Sequence, residues 1–172
     1  DRTLVFATGQ RIPLAPGGKS RWGFCPGGTL FFFLREFPAE AGIFLAAEPV
    51  TAVANLPQYF LPQRIFTSPN EYFVFGIKYE SDKEPGKLTE LVFSRRKPAP
   101  KPEREIDLSR FGGVVDMDTD RGLLLVVGKR EMFNTWGVYN LETRKYKSLG
   151  SEKAYGFFLT PGLVQYLEKR CE

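Results

Sequence analysis

The chain of 172 residues carries 24 Lys or Arg against 20 Asp or Glu, a formal charge of +4, and it contains no histidine. That absence excludes Ser-His-Asp and Cys-His catalysis within the chain, and two cysteines, Cys25 and Cys171, are too few for a four-ligand Cys/His zinc site. The length points to one domain with a core of its own, and 16 Phe, 7 Tyr and 2 Trp exclude disorder for most of it. No stretch approaches the ~20 apolar residues of a membrane-crossing helix. The sequence starts at Asp1, which leads us to expect removal of a preceding segment and a periplasmic or extracellular rather than cytoplasmic chain.

Apolar runs of strand length, each introduced by a turn signal, set the secondary structure. In chain order, Thr3 to Ala7 and Arg11 to Leu14 flank Thr8-Gly9-Gln10 and read as a hairpin. Trp22 to Cys25 and Thr29 to Leu34 flank Pro26-Gly27-Gly28, followed by a strand at Ile43 to Ala46 and one ending at Leu56. The same steps recur at Ile65 to Thr67, Tyr72 to Ile77 and Leu91 to Ser94, up to Leu108, and again at Val114 to Met117, Leu123 to Val127 and Gly137 to Asn140, up to Leu149. A last hairpin runs from Gly156 to Leu159 and from Leu163 to Leu167. Leu14, Leu56, Leu108 and Leu149 close equivalent strands at intervals of roughly 40 to 50 residues, so the chain is a repeat.

Two stretches carry a resemblance. Phe66-Thr67-Ser68-Pro69-Asn70 with Tyr72 to Phe75 is an apolar strand, a Ser-Pro-Asp-Gly-like turn and a second apolar strand. Val138-Tyr139-Asn140-Leu141-Glu142-Thr143-Arg144 with Leu149 is an outer hairpin of the form Tyr-x-Leu-x-Thr-Gly-x-x-x-x-Leu. These repeats resemble β-propeller blades of the broad WD-repeat and TolB-like kind, without the Trp-Asp dipeptide of true WD repeats. The resemblance implies an all-β single domain over residues 1–172, a small β-propeller of four blades at about 21–57, 63–109, 112–150 and 154–168 plus 2–15. The N-terminal strands would complete the C-terminal blade and close the ring, removing open sheet edges. A larger ring shared between chains, or a piece cut from a seven-bladed protein, is the alternative.

In such a propeller the loops entering each blade and those joining its second and third strands share one face. The entering loops carry Lys19 and Arg21, then Tyr59, Phe60 and Arg64, then Arg110 and Phe111, then Lys153 and Tyr155. The second set adds Phe37, Tyr79, Phe133 and Trp136 among Lys78, Lys129 and Arg130. Aromatics mixed with arginine are the composition of interface hot spots, so the expectation is a noncatalytic module that holds a protein partner without a cofactor, as a subunit of a larger assembly. A charge of +4 is modest, which ranks a polyanion or nucleic acid second.

Other readings stay open. Asp116, Asp118 and Asp120 alternate as in a calcium loop, but Arg121 stands where glycine is needed and Val127 where a bidentate glutamate is, so solvated turn acids with Gly122 at positive φ are the simpler reading. Asp107, Asp116 and Glu152 offer carboxylates for a carbohydrate-active or other hydrolase, with no spacing that selects a pair. Cys25 and Cys171 either form a latch across a loop of about 147 residues or stay as free thiols. Ser94-Arg95-Arg96-Lys97-Pro98-Ala99-Pro100-Lys101-Pro102 is a stiff basic insertion, read as a solvated connector or as an arm for an acidic partner.

Overall fold

The structure, a computed structural model, describes residues 3–5, 9, 11–13, 21–24, 30–35, 40–45, 51–81, 84–96, 101–129, 135–150, 154–160 and 163–168. Side chains are described over 54–81, 84–96, 101–129 and 135–149, with Val5, Arg11 and Ile43. Among the described residues every regular element is a strand: β1 (Thr3–Val5), β2 (Arg11–Pro13), β3 (Arg21–Phe24), β4 (Leu30–Arg35), β5 (Glu40–Leu45), β6 (Thr51–Asn55), β7 (Phe60–Thr67), β8 (Glu71–Lys78), β9 (Lys87–Ser94), β10 (Arg104–Asp107), β11 (Phe111–Asp118), β12 (Leu123–Gly128), β13 (Trp136–Asn140), β14 (Tyr146–Gly150), β15 (Ala154–Thr160) and β16 (Leu163–Glu168). No helix among them is long and apolar enough to cross a membrane.

Neighbouring strands pair antiparallel in three four-stranded meanders, β3–β6, β7–β10 and β11–β14, and in two two-stranded sheets, β1–β2 and β15–β16. The chain divides into two compact units, Asp1–Asp107 and Leu108–Glu172. In the first unit the core joins Ile43, Ala54 and Leu56 to Phe60, Ile65, Tyr72, Val74, Leu91 and Phe93. Strand register explains the set, because Ile65 lies opposite Val74, Val74 opposite Leu91, and Tyr72 opposite Phe93, which puts them on one face of the sheet. The other face buries Phe66, Phe73 and Phe75, with Phe66 edge-on to Phe75 at 5.8 Å between ring centroids. Each fully buried Phe stabilises the fold by roughly 1.5–3 kcal/mol. β8 and β9 are buried on both faces, which is why β8 reads as an unbroken apolar run from Tyr72 to Ile77, whereas Thr89 and Glu90 interrupt β9.

In the second unit β12 supplies the fully buried Leu124, Leu125 and Val126, with Val114, Met117, Phe111 and Tyr139 around them. Two strands begin earlier than the sequence suggests. β7 starts at Phe60 and β11 at Phe111, because β-bulges between Pro62 and Arg64, between Phe111 and Gly113, and between Val114 and Asp116 carry the strands through residues that look like loop.

The tight turns follow side-chain chemistry. Ser68 Oγ accepts from the Asn70 and Glu71 amides at 3.3 and 3.1 Å. Asp118 Oδ1 accepts from the Asp120 and Arg121 amides, both at 3.2 Å. Asn140 Oδ1 accepts from the Thr143 amide at 2.7 Å. Gly122 takes a φ of 61°, as the turn reading required.

Candidate partner-binding site

Within the first unit, the segment entering β7 meets the segment leaving β8. Phe60 N–H donates to the Pro57 carbonyl at 3.3 Å and closes a turn in which Tyr59 sits at a φ of 62°. A left-handed tyrosine costs about 1 kcal/mol or more, so the surroundings hold it there. Part of that hold is visible, because the Tyr59 carbonyl accepts from the Tyr79 amide at 2.9 Å. Two half-buried tyrosines from loops of the two expected kinds are thereby tied together, and both make further interactions.

The charges at this end are balanced rather than basic. Lys78 Nζ reaches both carboxylate oxygens of Glu105 at 2.6 and 2.7 Å, and Lys87 Nζ reaches Glu80 at 2.7 Å. The hydrogen bond from Lys87, and then its charge, hold the Glu80 carboxyl below its usual range, and the same pair raises Lys87. Both partners of the second pair are exposed, so the pair orders the surface more than it stabilises it. Sequence reading missed Glu80 and Glu105, since the pair of Lys78 with Glu105 joins side chains 27 residues apart, on β8 and β10.

In the second unit Arg110 stands exposed in the turn entering β11, where the Phe111 amide donates to the Leu108 carbonyl at 2.9 Å. Its guanidinium lies over three rings, 4.9 Å from the centroid of Phe111, 5.6 Å from Tyr139 and 5.8 Å from Tyr146. Phe111 packs on Tyr139 and Tyr146 at 5.0 and 5.6 Å. The arginine is a lid on an aromatic cluster and keeps its outer edge toward solvent.

Phe60 and Phe111, read as contact residues, are core side chains with 1% and 2% of their surface exposed. The bulged early starts of β7 and β11 turn both rings inward, so they support the turns from below. Arg64 is exposed, but it lies within β7 opposite Phe75 rather than in the entering loop. Trp136 opens β13, half-buried and engaged by its neighbours. Arg21 and Tyr155 lie on β3 and β15, where only the backbone is described. Lys153, Lys19, Phe37, Arg130, Phe133, Glu152, Cys25 and Cys171 lie outside the described residues.

Of the acids, Asp118 is buried and caps its turn, while Asp116 Oδ1 accepts from the Met117 amide at 2.9 Å. Among the described residues no three His, Cys, Asp or Glu converge as metal ligands. The acid with the most altered chemistry escaped sequence reading. Glu90, central in β9, is fully buried with neither carboxylate oxygen hydrogen-bonded, and burial pushes it up to about 7 against the lowering charge of Arg104. An acidic residue inside the run Leu88-Thr89-Glu90-Leu91-Val92 was its only signal in the sequence.

The comparisons with known proteins bear on architecture. No family model matches the sequence, and no curated protein matches it. Among solved structures, the chain is similar to acylaminoacyl peptidase from Pyrococcus horikoshii, with a TM-score of 0.51 and 13% identity over 90% of this chain and 28% of that one. It is also similar to acylaminoacyl peptidase in complex with Z-Gly-Gly-Phe-chloromethyl ketone, with a TM-score of 0.50 and 15% identity over 86% of this chain and 27% of that one. The chain therefore spans about a quarter of the length of the peptidase chains it matches. That peptidase has a β-propeller domain, and the all-β meanders of this chain are consistent with propeller-like blades.

Proposed function

We propose that the chain is a noncatalytic, protein-binding module of four propeller blades, in which β1 and β2 complete the sheet of β15 and β16. The loops entering each blade, together with those joining its second and third strands, hold the partner. Tyr59 and Arg110 are the principal contacts, with Trp136, Arg64, Arg21, Lys153 and Tyr155 around them and Phe60 and Phe111 as their supports. The observation that carries this reading is the hydrogen bond from the Tyr79 amide to the Tyr59 carbonyl, which sets two tyrosines side by side at a cost in backbone strain.

Affinity capture from the native host, followed by mass spectrometry, tests it. Tyr59→Gly removes the ring and relieves the left-handed strain, so together with Arg110→Ala it should lose the captured partner while the chain stays folded. Undiminished capture by the double variant would refute the assignment. Turnover of a glycan or peptide panel that vanishes on Asp116→Asn or Glu90→Gln would instead establish a hydrolase.

A further inference from the structure

The basic insertion begins in a way that the binding face above does not use. The last residues of the β7–β8 turn present three oxygen acceptors toward the end of β9, and each is taken by one of two successive arginines. The Arg95 amide donates to the Asn70 carbonyl at 2.8 Å, and Arg95 Nη1 donates to the Ser68 carbonyl at 2.7 Å. Arg96 Nη2 donates to Asn70 Oδ1 at 2.8 Å, while its amide donates to Ser94 Oγ at 3.2 Å. Beneath them the buried Tyr72 ring lies 5.3 Å from the Arg95 guanidinium carbon. The turn keeps its shape without help from the arginines, because Ser68 Oγ already holds the Asn70 and Glu71 amides. Its outward oxygens are therefore free to fix the two guanidinium groups.

Every acceptor in this arrangement is neutral. Each guanidinium donates one hydrogen bond, and among the described residues neither is paired with a carboxylate, so two exposed positive charges on successive residues are held by neutral groups. Arginines left only for solubility would swing free. These have their rotamers set, which removes much of the ordering cost that an anionic ligand would otherwise meet.

We infer that Arg95 and Arg96, clamped on the Ser68–Asn70 turn, form a binding site for a phosphoryl group. The charge argues for phosphate, since one dianionic phosphoryl neutralises two guanidinium groups and a carboxylate only one. Geometry argues the same way. The two guanidinium groups are anchored at different acceptors, the Ser68 carbonyl and Asn70 Oδ1, and each keeps N–H donors that the three open oxygens of a phosphoryl group can engage at once. Exposed Lys101 and Arg104 add positive charge to this part of the chain, while Glu71, opposite Ser94, and exposed Glu103 offset part of it, so the two fixed guanidinium groups rather than the general field define the site. The site lies at the turn joining β7 to β8, the opposite end of the sheet from Tyr59 and Tyr79, and does not depend on the proposed protein partner.

Titration of the intact chain with inorganic tripolyphosphate, followed by amide shifts, should move Ser68, Asn70, Glu71 and Ser94 to Arg96 first and saturate there. Arg95→Gln with Arg96→Gln should weaken binding about tenfold or more. Lys145→Gln with Lys147→Gln, the same loss of charge at exposed positions in the other unit, should leave binding nearly unchanged. Shifts spread over all exposed cations, an equal loss in the lysine control, equal affinity for hexaglutamate, or association with phosphatidylserine vesicles but not tripolyphosphate would each overturn the inference. The shift map needs no variant, so it decides even if the arginine replacements loosen the turn.

Discussion

At the scale of single residues, the decisive quantity is the cost of burying an unmet charge. Glu90 has no exposed surface and its carboxylate has no hydrogen bond among the described residues; desolvation outweighs the attraction of Arg104, while Glu71 adds to the upward shift. By register Glu90 lies opposite Phe75 on β8 and Ile106 on β10, and the exposed Arg64 pairs with the same Phe75 from β7. Its carboxyl titrates near 7 in the fold against 4.5 as a free group, so between those values the folded chain holds a proton that the unfolded chain has lost. The sign follows. The contribution is fully present below pH 4.5, falls as pH rises, and is gone above pH 7, a loss of about 3 kcal/mol across the window. Urea midpoints at pH 5 and pH 8 should show the wild type less stable at the higher pH, and Glu90→Gln should flatten that difference. An unchanged pH slope in the variant would show that the carboxyl is solvated.

At the scale of elements, a sheet is as exact as the approach of its backbones allows. Gly76 on β8 faces the bulge of β7, and a β-carbon there would run into the Leu61 carbonyl and come within 2.8 Å of the Phe60 ring. The carbonyl is backbone in a paired strand and cannot swing aside, so Gly76→Ala should cost about 2 kcal/mol or more, read as a lowered urea midpoint with an unchanged slope. The same bulge marks the limit of what the sequence made legible. Each predicted strand has a counterpart, because aromatic and β-branched runs between Ser, Asp, Asn and Gly turns have few alternatives, as Asp118 and Gly122 show. Pro62 and the pair Gly112-Gly113 look like loop, and only pairing with β8 and β12 keeps them in strand, which is why Phe60 and Phe111 were read as surface and are core. Tyr59 and Arg110, expected in the segments entering β7 and β11, stand in turns there. Glu105 and Glu90 were hidden because the partner of the one and the burial of the other depend on strands distant in sequence.

At the scale of the whole molecule, the proposal stands on what borders the outer edges of the two short sheets. A two-stranded ribbon is marginal in water, and both β1–β2 and β15–β16 are ribbons with an outer edge to satisfy. If β1 serves as the third strand beside β16, amides of β16 that point away from β15 must be bonded to the first strand of the chain. Hydrogen exchange on the intact protein then reports closure directly. Alternate amides between Leu163 and Glu168 should be protected as strongly as their neighbours, and removal of residues 1–15 should release them while β8 and β12, buried inside their own meanders, keep their protection. Exchange in β16 that is equally fast with and without those residues would mean that the edge is met elsewhere. The partner-binding face would then have to be argued for each unit alone, from Tyr59 with Tyr79 in the first and from Arg110 in the second, rather than as one surface around a channel.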